Sequence, residues 1–159
     1  MGKNVIECLN QMTSLLKMLI PLSLEPKYSR EVKEIYDQIK ETEAEIMKHL
    51  FKVKIPAKQR IEIINFVDRI VDIAEDAKAL TALKLPKWLK LEGEKVFLIK
   101  GEKLAGRTVD SLKEIAKCLG IKRKNRWMPA RGVEKVRKGD ILLMVGSRED
   151  ETLLRDLNG

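Results

Sequence analysis

Lys138-Gly139-Asp140-Ile141-Leu142-Leu143-Met144-Val145-Gly146-Ser147 is the stretch on which the fold turns. Lys138-Gly139-Asp140 reads as a tight turn. The five apolar residues that follow contain no polar member, which is the pattern of a strand covered on both faces. Ser147, with Asp150 three residues on, has the spacing of a capping box for a closing helix through Leu153, Leu154 and Leu157. Upstream, Val96-Phe97-Leu98-Ile99 is a second apolar run of the same kind. Between the two, Gly101 to Gly106 forms a turn and Thr108 is placed to cap a helix. Its apolar positions are Val109, Leu112, Ile115, Ala116 and Leu119, and Gly120 is a suitable C-terminal stop. Next, Ile121, Arg123, Asn125 and Trp127 alternate with Lys122, Lys124 and Arg126, predicting a polar strand that Pro129 and Gly132 break. The order β-α-β-(β)-β-α predicts parallel pairing across the first helix and an antiparallel return.

Toward the N-terminus the apolar spacing lengthens to three and four residues, which marks amphipathic helices. The first stripe is Val5, Ile6, Leu9, Met12, Leu16, Leu19 and Ile20, closed by Pro21 and Pro26. Ser29 is placed to cap a second helix with the stripe Val32, Ile35, Tyr36, Ile39, Ile46 and Leu50, interrupted at Thr42 and Glu43. Pro56 opens a third, whose stripe is Ile61, Ile64, Val67, Val71, Ala74 and on to Leu80 or Thr81, and Leu85-Pro86 closes it. Three long helices with short connections predict an antiparallel bundle. The expected fold class is therefore α+β: a helical domain over 1–86, a linker over 87–93 in which Trp88 and Leu91 pack back, and a small α/β domain over 94–159. Three helices bury a thin core and these stripes are wide, so self-association is expected.

The composition fits this division. Aromatic residues are only 4% of a chain that is 44% apolar, so aliphatic side chains supply most of the burial. Charged residues reach 35% and Gln only three, a balance suited to the surface ion-pair networks of a thermophile. Residues 1–86 carry 14 Lys/Arg and 13 Asp/Glu, whereas residues 87–159 carry 18 and 11, so the positive charge lies in the second part. The most apolar segment, Leu15 to Leu24, contains Lys17 and Pro21 and falls short of the roughly 18–20 residues that a membrane span needs. It lacks a signal-peptide cleavage site too, and the chain reads as cytoplasmic. Cys8 and Cys118 lie far apart in helical apolar patterns and read as buried thiols rather than a disulfide or metal pair.

Two charged constellations stand out. Asp68, Asp72 and Asp76 fall at i, i+4 and i+8 with Glu75 beside them, and carboxylates four apart on a helix repel. A divalent cation would relieve that repulsion, with magnesium, calcium, manganese or iron suited to oxygen ligands. Alternatively, Arg69, Lys78 and neighbouring basic groups neutralise a solvated edge. Lys122, Arg123, Lys124, Arg126 and Arg131 form a candidate surface for an anionic ligand, or else a charged strand edge that resists edge-to-edge aggregation. The basic second part, with Trp127 beside Arg126, also invites nucleic acid. Only one aromatic interleaves the basic run, which counts against that partner. No Gly-x-Gly-x-x-Gly occurs, so neither NAD nor ATP is expected. The one histidine, His49, is far in sequence from either cysteine, and no nucleophile–base pair is apparent, so no enzyme is expected. A hydrolase using carboxylate-bound metal is the remaining enzymatic alternative.

Two resemblances to known families bear on these residues. Asp68-Arg69-Ile70-Val71-Asp72-Ile73-Ala74-Glu75-Asp76-Ala77 resembles the Glu/Asp-Arg-Ile-x-Asp-x-Ala segment of PhoU-type helical proteins. That resemblance implies a metal-binding role for Asp68 and Asp72. On the preceding helix Glu34 is followed four later by Gln38 where the family has Asp, although Asp37 and Glu41 keep the spacing. PhoU proteins hold two three-helix repeats, and this chain has room for one. Residues 94–159 resemble the TrkA-C domain, the C-terminal half of the RCK units that regulate potassium channels and transporters. The match rests on Leu104-Ala105-Gly106-Arg107-Thr108 before Leu112, on Ile121-Lys122-Arg123, on Pro129, and on Gly139-Asp140-Ile141-Leu142 running to Val145-Gly146. The middle strand is more polar here than in that family, and the nucleotide-binding half of the RCK unit is missing. Together the resemblances imply a cytosolic, non-catalytic, ligand-sensing homodimer that regulates a membrane cation transporter or channel for potassium. An anionic small molecule of the cyclic dinucleotide class is its implied ligand. A metal-binding phosphate-signalling regulator of PhoU type and a nucleic-acid-binding protein remain alternatives.

Overall fold

The computed structural model describes residues 4–83 and 94–158. The chain divides into two compact units, residues 1–84 and 85–159. The expected linker over 87–93 and the Leu85-Pro86 helix stop lie outside the described residues.

The first unit holds three helices: α1 (Val5–Ser23), α2 (Ser29–Lys52) and α3 (Ala57–Leu80), with a single 3-10 turn (Pro26–Tyr28) between the first two. Asn4 caps α1 by accepting the Glu7 N–H at 2.8 Å. Pro21 does not end α1 but sits inside its last turn, where the lost hydrogen bond is a single one near a fraying end. Ser29 is likewise not a cap. The 3-10 turn carries the chain into α2, so Ser29 is already helical and Tyr28 precedes it with no side-chain cap. Pro56, with ψ of 139°, stands at the N-cap of α3.

The core of this unit comes from Met12, Leu15, Leu19 and Leu22 of α1, Ile35, Ile39, Ile46 and Leu50 of α2, and Val67, Val71 and Ala74 of α3. The α2 stripe is as expected at Val32, Ile35, Ile39, Ile46 and Leu50, while Tyr36 is only partly covered, and the interruption is real: Thr42 is buried, and its hydroxyl donates to the Gln38 carbonyl at 2.9 Å. An internal bond of this kind is what makes burial of a hydroxyl tolerable. The α1 stripe is rotated from the expected one. Met12 and Leu19 are buried, but Ile6 and Ile20 are exposed and Leu9 and Leu16 only partly covered. On α3, Ile61 is exposed. These helices carry more apolar surface than one bundle core absorbs.

The second unit comprises β1 (Lys95–Lys100), the single-turn α4 (Val109–Leu112), β2 (Lys117–Arg123), β3 (Arg126–Pro129), β4 (Ile141–Gly146) and α5 (Arg148–Asn158). The sheet order is β1-β4-β2-β3, and every neighbouring pair is antiparallel. Three expectations are corrected here. The first two strands do not pair with each other, because β4 inserts between them and takes the hydrogen bonds of both. The helix after Thr108 stops at Leu112, and Cys118 and Leu119 belong to β2, so Cys118 lies on a strand and Gly120 beside a bulge in that strand. Ile115, Ala116 and Leu119 fit a helical stripe in sequence, but pairing with β4 gives the chain from Lys117 onward a better use. Finally, the alternating basic segment is a hairpin. Lys124 and Asn125 both have positive φ, 52° and 63°, and join Arg123 to Arg126 as a two-residue turn. That is the geometry of type I′ turns, whose twist matches antiparallel strands.

The central strand behaves as its sequence demands. Leu142, Leu143 and Met144 are consecutive and all buried, so both faces of β4 are covered. Each such side chain contributes about 1.5–3 kcal/mol by leaving water. One face joins Phe97, Ile99, Leu104, Ile121 and Leu154 in a single cluster. The capping box is present: the Ser147 N–H donates to Asp150 at 2.8 Å, and the Asp150 N–H donates to the Ser147 hydroxyl at 3.1 Å. Thr108 caps α4 by accepting the Ser111 N–H at 3.3 Å.

Candidate functional site

The basic hairpin is built from the turn inward. Strand alternation puts Arg123 on the same face as Ile121, toward the residues between α4 and β4 rather than toward solvent. Its guanidinium donates to both oxygens of Asp140, from Nε at 3.0 Å and Nη2 at 2.7 Å. Nη1 reaches Glu134, and Nη2 also donates to the Lys135 carbonyl at 3.0 Å. The side chains are 13% exposed for Arg123 and 2% for Asp140. This is a largely covered, two-pronged ion pair in which nearly every donor and acceptor is satisfied.

Asp140 is held by its own turn as well. Gly139 has φ of 90°, a conformation that L side chains rarely adopt, and this lets the Asp140 N–H reach the Arg137 carbonyl at 3.1 Å. The Asp140 carboxylate in return accepts the Arg137 N–H at 2.8 Å. Burial by itself would push this carboxyl up. The Arg123 hydrogen bonds, the Arg137 amide and the two positive charges outweigh it and hold the group below its ordinary value. Reciprocally, the hydrogen bonds to Asp140 and then Glu134 raise the Arg123 guanidinium still further.

The other members of the basic set lie around this clamp. Lys124 and Arg126 are exposed at the tip of the hairpin, Arg131 is exposed just past β3, and Lys122 is half-buried on the opposite face of β2 from Arg123. The structure thus separates Arg123, largely covered and facing two carboxylates, from Lys124, Arg126 and Arg131, which are exposed. Most of the Arg123 donors are engaged within the unit itself. No sequence motif announced the Arg123–Glu134–Asp140 clamp. Its one legible signal was a lone carboxylate next to a five-residue apolar run, which has to find a cation if it is buried.

On α3, Asp68, Asp72, Glu75 and Asp76 are all exposed. Glu75 turns toward α2, accepting the Tyr36 hydroxyl at 3.4 Å, and the Lys78 ammonium stands 4.4 Å from the centre of the same tyrosine ring. Burial and the nearby Glu75 charge raise the Tyr36 hydroxyl above its usual value. On α2, Asp37 and Glu41 are exposed, Gln38 is buried and Glu34 pairs with Arg30 at 3.4 Å. Among the described residues, no group of three or more His, Cys, Asp or Glu side chains is arranged to hold a metal ion. Cys8 is buried 3.7 Å from Glu45, and burial pushes Cys118 up to about 12. Such a group is a thiol, not a nucleophilic thiolate, at neutral pH.

Among the described residues, no helix is long and apolar enough to cross a membrane. Fold and site together define an α+β chain with a three-helix unit and a four-stranded antiparallel unit locked by a buried arginine–carboxylate clamp. No protein-family model matches the chain, and a search of curated proteins finds no match.

Proposed function

We propose that this protein is a non-catalytic regulatory subunit of a cation-transport system, for potassium, whose second unit binds an anionic ligand on the β2–β3 hairpin. One observation carries the reading: three of the segments behind the TrkA-C resemblance meet beside the start of β4. Leu104 is buried in the core cluster, the Gly106 N–H donates to the Val136 carbonyl, and the Val136 N–H donates to the Arg107 carbonyl, both at 2.8 Å. Four residues on, Asp140 takes Arg123 from the Ile121-Lys122-Arg123 strand. The clamp holds the turn end of the hairpin, so that Lys124 and Arg126 at the tip, with Arg131 just past β3, present their charges on a stiff support. An anion of the cyclic dinucleotide class would meet these cations. Its binding favours one arrangement of the subunits over another, and that population shift biases the contacts offered to the membrane partner.

The test is calorimetric titration of the intact chain with cyclic dinucleotides, with mononucleotides, random oligonucleotides and divalent metals as comparison arms. A saturable cyclic dinucleotide signal, lost in the double variant Lys124→Ala/Arg126→Ala and kept in Asp72→Ala, supports the reading. If binding is confined to random oligonucleotides and falls steeply with salt, the basic unit is a nucleic-acid surface instead. A response to metals alone, lost in Asp72→Ala, moves the site to α3. Silence in every arm overturns the ligand assignment.

A further inference from the structure

The third helix carries a second apolar stripe that its own bundle does not use. Phe66, Ile73 and Leu80 are 49%, 46% and 41% exposed, and they recur at intervals of seven residues. Ile63, Ile70 and Ala77 recur beside them, also at intervals of seven, and turn inward: Ile70 and Ala77 are buried. The six residues form the alternating three–four spacing of a helix-pairing seam, with one row facing the core and the other facing out. Next to the N-terminal end of the outer row, Phe66 borders an open groove of about 380 Å³ lined by Leu9, Gln59, Glu62, Ile63 and Phe66. On α1, Ile6 and Ile20 add to the uncovered apolar surface of this unit.

The charges beside the outer row choose the partner. On the edge of α3 away from its core lie Arg69 and Asp76, again seven apart. Both are exposed, and among the described residues neither takes part in an ion pair within the chain. If a second α3 runs antiparallel, with the two-fold axis at Ile73, the same edge of each helix lies on the same side of the seam. Arg69 then faces the partner copy's Asp76, and Asp76 faces its Arg69. Ile73 meets its own copy, and Leu80 reaches Phe66 and the groove beside it. In a parallel pair the two charges would instead face the Val67 and Ala74 edge, which is buried in its own bundle.

From this self-complementarity we infer that the helical unit is a homodimerisation surface, in which α3 pairs antiparallel with α3 of a second copy about Ile73. The inference rests on the first unit alone and does not depend on the ligand assignment.

Thiol cross-linking of the full-length protein tests it. Ile73→Cys, on the axis, forms a covalent dimer rapidly under mild oxidant, while Asp68→Cys, exposed on the far side of the same helix, does not. In the Ile73→Cys background, Arg69→Asp sets like charges against each other twice per dimer and weakens association on the order of tenfold. Adding Asp76→Arg restores opposite charges and recovers the cross-linking rate. Rescue by the double swap cannot come from a variant that merely misfolds. If Ile73→Cys cross-links no faster than Asp68→Cys, or if Arg69→Asp leaves the rate unchanged, the antiparallel dimer is wrong. It is equally wrong if sedimentation shows the chain as a monomer, or the face covered by a different protein.

Discussion

In the helical unit the buried residues are almost all aliphatic and the charges stay at the surface, whereas in the sheet unit a carboxylate is nearly sealed from water and an arginine is folded in to meet it. The first arrangement draws its stability from area, and losing any one charge there removes a weak, screened contact. The second draws part of its stability from a few directed bonds, and each partner is needed because the other is buried. Charge in one unit is a coating. In the other it is part of the frame.

The largest effect expected from this contrast is at Asp140. Asp140→Ala takes the bidentate partner from a largely covered Arg123 guanidinium, which keeps Glu134 and the Lys135 carbonyl, and is expected to cost about 3 kcal/mol, the lower end of the range for breaking a buried pair. The matching change on the helices, Asp72→Ala, is expected to move stability by less than about 0.5 kcal/mol. Urea unfolding monitored by hydrogen exchange in each unit checks the pair, and comparable losses in both variants would erase the distinction. Leu15→Ala sharpens it from the other side. Truncating that buried leucine costs about 2–5 kcal/mol, with the loss confined to amides of the helical unit.

A pH measurement separates the units again. The folded Asp140 carboxyl lies below its unfolded value, so the unfolded chain takes up the proton first. The clamp's contribution is therefore complete above the ordinary carboxylate range, near about 4, and drains away as pH falls through the folded value. Asp140→Asn is expected to flatten the acid limb of the stability curve for the sheet unit and leave that of the helical unit as it was. An unchanged limb contradicts the role given to the clamp.

Smaller effects concern local geometry. Ser147→Ala removes one half of the capping box, at a cost of about 1 kcal/mol. Lys124→Gly relieves a side chain held at positive φ and is expected to raise stability by up to about 1 kcal/mol. Both shifts are measurable as thermal midpoints. Destabilisation by Lys124→Gly would mean that the lysine makes a contact worth more than the strain.

Much of the fold is legible in the sequence, and the places where the reading fails share a cause. The three helices, the two covered strands, the Gly139 turn and the Ser147–Asp150 cap each announce themselves within a few residues. What escapes the reading depends on partners distant in sequence. Cys118 and Leu119 fit a helix until β4 is there to pair with them, and the Lys124-Asn125 hairpin has no Gly at its turn to mark it. Lys122 to Arg126 reads as a uniform basic strip because alternation records which side a residue points to, not what waits there. Asp140, seventeen residues on, and Glu134, eleven on, distinguish Arg123 from its neighbours. On α1 the apolar residues outnumber the positions the core has room for, so the spacing alone names the wrong subset.

The place of β4 in the sheet has a consequence for how the protein is made. The ribosome delivers β1, β2 and β3 first, and β1 has no hydrogen-bonded neighbour until Ile141 to Gly146 emerge. For most of its synthesis the second unit is a hairpin and an unattached strand, with Phe97 and Ile99 awaiting cover. A nascent chain stalled short of Ile141 exposes sticky strand edges of the kind that chaperones engage.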